Sequence, residues 1–345
     1  MTEEYLVDFL HTASSPLPVL NLVDVGVSGG IAPVWRRWGD RLCGVGVDAL
    51  TEEIARLAAA ETNPNFRYEA ARIVGPTRPG PAPSNYPLHR AQCYLATRIL
   101  MERAPAGAEA FIDLWRDTIA SDAVPTEANY SNISNPMTDP FYRYYAERFG
   151  GSNLPPVTDR TATLDALLDG FPADVLKIDT DGYDFDVLRG ATQTLPGCLA
   201  VDIEVQFHGP VSSDANVFCN IDLFLRERGF TLLKLEPIRY SRAALPQAFL
   251  YDIPAQTARG PVQWADAFYA RDLLNAATAP DQLRNLATIL DAYGLEDMAA
   301  EIILGYPQLF DPGALDFLAR KVHGSTATYR GIVDRFMRGP VTFGR

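Results

Sequence analysis

Residues 19–30 read VLNLVDVGVSGG, an aliphatic and β-branched run that ends in Gly26, Gly29 and Gly30. A strand that is apolar on both faces belongs inside a parallel sheet, and a glycine turn behind it predicts a passage from strand into helix. Working outward, LCGVGV at 42–47 reads as a second strand ending at Asp48. Glu52–Ala60 is strongly helical with Thr51 as its cap, and NFRYEAARIV at 65–74 reads as a third strand. Three strands separated by helices within about 55 residues predict a doubly wound α/β sheet.

That rhythm stops at residue 75. GPTRPGPAPSNYP (75–87) is loop-forming, residues 88–120 hold one or two helices, and 129–149 are rich in Asn and aromatics. Residues 76–150 therefore read as a helical insertion laid over the sheet, either a structural excursion or a lid or substrate-recognition element, because an α/β crossover needs only a short connection. Sheet rhythm returns with TLDALLDGF (163–171) as helix, DVLKID (174–179) as strand and YDFDVLRGATQTL (183–195) as helix. LAVDIEVQF (199–207) is a further strand, Ile221–Arg228 a helix, and FTLLKLEPIRY (230–240) a strand. GPVQWADAFYARD (260–272) reads as a last, antiparallel strand forming a hairpin edge with its predecessor. Beyond it the pattern is helical, with Leu283, Leu286, Leu290 and Tyr293 on one face and Gly294 as the stop. The expected organisation is a Rossmann-like domain over 1–271 and a C-terminal helical extension over 272–345.

Composition narrows the function. Among 345 residues, 43 acids stand against 30 bases, a net charge of −13 that disfavours nucleic acid and anionic membrane surfaces. Nine acids against two bases fall within residues 161–210, so much of this charge is local. The start, Met-Thr-Glu-Glu, has no basic region and no long apolar stretch behind it, and no run reaches the ~18 apolar residues of a membrane span. Cys43, Cys93, Cys198 and Cys219 are isolated in sequence, without zinc spacing. A reduced, cytoplasmic protein is the expectation, with self-association left open.

Four acidic motifs carry the chemistry. In Asp24-Val25-Gly26-Val27-Ser28-Gly29-Gly30, glycines at 26 and 30 let backbone approach a ligand, and a following helix would offer free N–H groups. Asp48, ending the next strand, is placed to accept both hydroxyls of a ribose, or to cap the next helix. In Lys177-Ile178-Asp179-Thr180-Asp181-Gly182, a strand delivers Asp179 to its carboxyl end with Asp181 beside it, suited to a cation or to proton transfer. Asp184 and Asp186 read as simple helix N-terminal acids. On the next strand, alternation sends Asp202, Glu204, Gln206 and His208 to one side, and His208 past the end is a base or metal-ligand candidate.

These motifs in this order resemble the FkbM family of S-adenosylmethionine-dependent O-methyltransferases. The resemblance rests on VDVGVSGG (23–30), GVGVDALTEEIARL (44–57), and above all TLDALL (163–168) followed by LKIDTDGYDFDVLRGA (176–191) and IEVQF (203–207). Asp181 stands where the family pattern has Glu, and Val47-Asp48-Ala49 where it has F-E-P. The resemblance implies a class I methyltransferase sheet and S-adenosylmethionine as cofactor. Asp24, Gly26, Ser28 and Gly30 would line its methionine portion, Asp48 would hold the ribose, and Ala71 and Arg72 would flank the adenine. Asp179 and Asp181 would face the methyl group or position the acceptor, with His208 or Asp181 as base. Alternatively a divalent ion on Asp179, Asp181, Glu204 or His208 would lower the hydroxyl pKa. The implied acceptor is a small molecule or glycan.

Rival readings are weaker. GVSGG fits a hydrolase nucleophile elbow, but only some 25 residues precede it, too few to build the oxyanion-hole strand. A nicotinamide enzyme would want the full G-x-G-x-x-G. A non-catalytic scaffold has no physical reason to keep Asp24, Asp48, Asp179 and Asp181.

Overall fold

Apolar alternation places Leu20–Val25 (β1), Leu42–Asp48 (β2) and Phe66–Ala70 (β3) side by side as parallel strands. The computed structural model describes residues 4–12, 17–76, 158–180, 182–207, 211–239, 262–272, 279–324, 327–328 and 331. The insertion thus falls, from residue 77 to 157, outside the described residues.

Val175–Ile178 (β6) and Ala200–Gln206 (β7) extend the parallel sheet on the other side of β1. Among the described residues, Phe230–Arg239 (β8) and Val262–Arg271 (β9) complete seven strands in the order β3-β2-β1-β6-β7-β9-β8, with only β9 antiparallel. The expected antiparallel hairpin therefore closes this side of the sheet, with the last strand on its inner side and its predecessor outermost. Pro237 and the exposed Glu236 on β8 suit that outer position, where a missing donor costs nothing.

The single 65–74 strand divides at Ala71. Its N–H donates to the Asp48 carbonyl at 2.9 Å, while Arg72–Ile73 (β4) turns away to pair with Thr161–Ala162 (β5). The expected helix directly after the glycine turn is also absent. A 3-10 segment at Trp35–Arg41 takes its place, broken by Gly39 at φ 54°.

Both faces are covered, as double winding requires. Leu20, Leu22, Val175, Ala200 and Phe268 face one way, against Leu6–Thr12 (α1), Thr51–Ala60 (α2) and the C-terminal helices Pro280–Ala292 (α6), Glu296–Gly305 (α7) and Ala314–His323 (α8). Val23, Val25, Leu176, Ile178 and Ile203 face the other way, against Leu164–Leu168 (α3), Asp184–Arg189 (α4) and Phe218–Arg226 (α5). The C-terminal helices are tied to the amino end of the chain: the buried Asp291 carboxylate accepts the Leu6 N–H at 2.6 Å and the Lys321 ammonium at 2.9 Å. Among the described residues, no helix is long and apolar enough to cross a membrane.

Candidate active site

Strand order reverses between β1 and β6, and the crevice at the carboxyl ends of those strands is where open α/β sheets bind ligands. The face that carries Leu20 and Leu22 on β1 turns polar toward this end. Asp24 lies in register with Lys177 on β6, and Lys177 with Asp202 on β7. One row beyond, Glu204 pairs with Asp266 on β9, and Asp266 with Glu236 on β8. Alternation alone generates this arrangement: residues i and i+2 share a face, so the polar series simply continues the apolar one.

Asp24 is 1% exposed, and its carboxylate accepts from the Lys177 ammonium at 3.3 Å. The same ammonium lies 3.5 Å from Asp179, whose side chain is half exposed at the strand end. Burial drives the Asp24 carboxyl up to about 6, against the opposing pull of Lys177. Asp202 is likewise raised to about 6 by burial, although Tyr293 donates its hydroxyl to it at 2.7 Å. Burial works against the charge of Lys177, but Asp24, Asp179 and Asp202 outweigh it and hold its pKa above the ordinary value. One lysine is thus divided among several carboxylates, and none of the buried ones is fully compensated.

Linkage turns this into a pH dependence. Asp24 and Asp202 have folded-state values near 6 against 3.8 for an ordinary Asp, so between those values the native state binds more protons than the unfolded chain. Stability then falls as pH rises above the unfolded value and finishes falling as pH passes the folded one, with on the order of 1 kcal/mol per group still to lose between pH 5.5 and 7.5. Scanning calorimetry should give a Tm a few degrees higher at pH 5.5 than at 7.5. A Tm that drops over the same acidification would show that these carboxylates are not destabilised by burial.

The glycine turn is braced by the protein itself. The N–H groups of Gly26 and Val27 donate to the Val47 carbonyl at 2.8 and 3.1 Å, and Gly30 donates to Val27 at 2.8 Å. Ser28 donates to Asp48 at 3.1 Å, and Gly29 to Glu53 at 2.8 Å. These N–H groups are therefore not the free anion cradle expected from the sequence. Asp48 also accepts the Leu50 N–H at 2.8 Å, which leaves Thr51 as the first residue of α2 instead of its cap. Each Asp48 oxygen keeps lone-pair capacity for a further donor. Glu53, which sequence reading passed over, is a second brace, and Arg56 with the Gly29 N–H lowers its pKa to about 2.

The loop after β6 is organised by Asp184. This fully buried carboxylate accepts from the Thr180 N–H at 2.8 Å, the Thr180 hydroxyl at 2.9 Å, the Gly182 N–H at 3.1 Å and the Asn216 amide at 3.1 Å. Asn216 in turn accepts the Phe185 N–H at 2.9 Å, so the loops following β6 and β7 are fastened together. Asp184 is thus the hub of the loop, not merely an acid at a helix end, whereas Asp186 pairs with Arg189 at 3.2 Å.

The structure brings Asp24, Gly26, Ser28, Gly30, Asp48 and Asp179 to the crevice or its wall. Ala71 sits beside Asp48 through its N–H but turns its methyl into the core of the opposite face, and Arg72 is exposed. Asp181 and His208 lie outside the described residues. Of the metal candidates, Asp179 and Glu204 are described, and among the described residues no group of three or more His, Cys, Asp or Glu side chains is placed to hold an ion. Lys177, Glu53, Asn216 and Tyr293 were missed, because spacing along the chain carries no signal for partners 20 to 150 residues away. A family model, the Methyltransferase FkbM domain, matches residues 58–232. No curated protein matches the chain.

Proposed function

Since this chain belongs to the FkbM methyltransferase family, we propose that it transfers a methyl group from S-adenosylmethionine to a hydroxyl of a sugar, glycan or secondary metabolite. The observation that carries the reading is the charge of the switch-point crevice. Carboxylates of Asp48 and Asp179 stand at its edge, and the N–H groups of the glycine turn are spent on Val47, Asp48 and Glu53. A nicotinamide dinucleotide would bring a pyrophosphate that needs free N–H groups. S-adenosylmethionine brings a sulfonium, an ammonium and a ribose diol against a single carboxylate, a net cation that fits acceptor oxygens and negative charge.

When bound, S-adenosylmethionine supplies an electrophilic methyl on a cationic sulfur. The chain's own task is alignment and proton removal. Asp48, held by Ser28 and Leu50, offers its remaining lone pairs to the ribose hydroxyls. Gly26, pressed against the Asp179 backbone, fixes the spacing between the β1 and β6 loops. Asp179 presents its carboxylate oxygen toward the methyl group or the acceptor. Proton removal from the acceptor is assigned to His208 or Asp181 on the strength of the motif.

Calorimetric titration of the folded protein with S-adenosylmethionine tests this. Saturable binding is expected, weakened about tenfold to a hundredfold in Asp48→Ala, as loss of a charged hydrogen-bond acceptor implies. A wild-type protein that melts cooperatively yet does not bind would sink the proposal.

A further inference from the structure

We propose that Lys177 is the positioning residue of this site, holding the Asp179 carboxylate at the mouth of the crevice. The inference rests on the reading of the site as one for S-adenosylmethionine. Lys177 is a mid-strand residue on a sheet face, where an aliphatic side chain would be the ordinary choice. Its ammonium is instead clamped from below: Oδ1 of Asp24, whose side chain is 2% exposed, lies 3.3 Å away, while Oδ2 of Asp179, whose side chain is 50% exposed, lies 3.5 Å away. One side chain thus joins a carboxylate that cannot move to one that otherwise could.

The other groups facing this ammonium keep it from turning elsewhere. Asp202 on β7 lies in register with Lys177, but one of its oxygens is already taken by the Tyr293 hydroxyl at 2.7 Å. Tyr293 is itself fixed by stacking on Phe268 with ring centroids 3.8 Å apart, and its carbonyl accepts from Lys234 at 3.3 Å. Asp266 on β9 and Glu236 on β8 contribute negative charge one row further out. The C-terminal helices therefore reach the site through Tyr293, and the far side of the charge row is occupied. What remains for Lys177 is the Asp24-to-Asp179 bridge, which leaves Asp179 Oδ1 available to a ligand.

Positioning, charge and fold predict different outcomes for Lys177→Met. As a positioning residue, its loss frees Asp179 and weakens S-adenosylmethionine binding by about fivefold to tenfold. Lys177→Arg should recover most of that loss, since a longer cation still spans the two carboxylates. In an Asp179→Asn background the Met substitution should add nothing, because its effect runs through that carboxylate. If Lys177 acted only through charge, removing a cation would tighten binding of the cationic ligand. If it were only structural, Tm would fall and the affinity would stay.

Calorimetry and melting curves on wild type, the single variants and the double variant separate these cases. Tighter or unchanged binding in Lys177→Met, or full additivity with Asp179→Asn, overturns the proposal while leaving the functional reading intact. Absence of binding by the wild type overturns the functional reading itself. Should Lys177→Met not fold, Asp24→Asn/Lys177→Met removes both buried charges together and is compared with Asp24→Asn alone, so that the loss of Asp24 cancels; the binding outcomes then carry the same meaning.

Discussion

Gly26→Ala is expected to disable the crevice and to destabilise the fold by about 3–5 kcal/mol. A Cβ at this position would stand 1.7 Å from the Asp179 carbonyl oxygen and 2.6 Å from its carbonyl carbon. Both are backbone atoms, so no side chain can swing aside. The φ of +90° adds strain, because L side chains rarely adopt it. Neither loop can retreat cheaply: Gly26 donates to Val47 at 2.8 Å, and Asp179 donates to Val25 at 2.8 Å. The variant must push the β1 and β6 loops apart where Asp48 and Asp179 need to stay at fixed separation.

Gly29→Ala is the matched control. Its φ is +85°, nearly the same, but none of the described residues lies within 4 Å of the added carbon. It should show the strain alone, about 1 kcal/mol, and keep S-adenosylmethionine binding. Urea unfolding and calorimetry on the pair measure the difference. Equal destabilisation of the two variants, with binding retained in Gly26→Ala, would show that the loops are not in contact in solution.

The contrast between these glycines marks how far sequence reading extends. VLNLVDVGVSGG disclosed a buried strand and a turn, because β-branching and glycine act locally. It could not show that a side chain at Gly26 would meet Asp179, about 150 residues away, while one at Gly29 would meet none of the described residues. The parallel strands and the helices on both faces were legible for the same local reason. Strand order at the edge was not: FTLLKLEPIRY and VQWADAFYAR look alike as strands, and only tertiary packing puts the second inside the first.

The site divides along the same line. Asp24, Asp48 and Asp179 could be found because each ends or nearly ends an apolar strand. Lys177 was in plain view inside LKID, yet its partners are set by strand register, which pairs it with Asp24 on one side and Asp202 on the other. Tyr293 was read as the end of an apolar helix face, and it stands one residue past α6, partly buried. Its hydroxyl, reaching Asp202 across the sheet face, follows from how the C-terminal helices dock and from nothing in their own periodicity.

Asp184→Ala should be the second severe substitution, at about 3–5 kcal/mol, despite the residue's ordinary appearance at the start of a six-residue helix. Deleting the carboxylate strands the N–H groups of Thr180 and Gly182 and the amide of Asn216 away from water. Burial also raises the pKa of this carboxyl, so part of the lost hydrogen bonding is offset by relief from a buried charge. Asp184→Asn sharpens the test, since it keeps the volume but turns an NH2 group toward donors on one side. It should recover less than half of the loss. Thermal unfolding would measure both variants, and S-adenosylmethionine titration below the melting range would report the loop. The carboxylate secures the segment between Asp179 and Gly182, so binding should weaken in both even where the fold survives. An Asn variant as stable as wild type would mean that the carboxylate's charge and its four accepted bonds contribute nothing beyond shape.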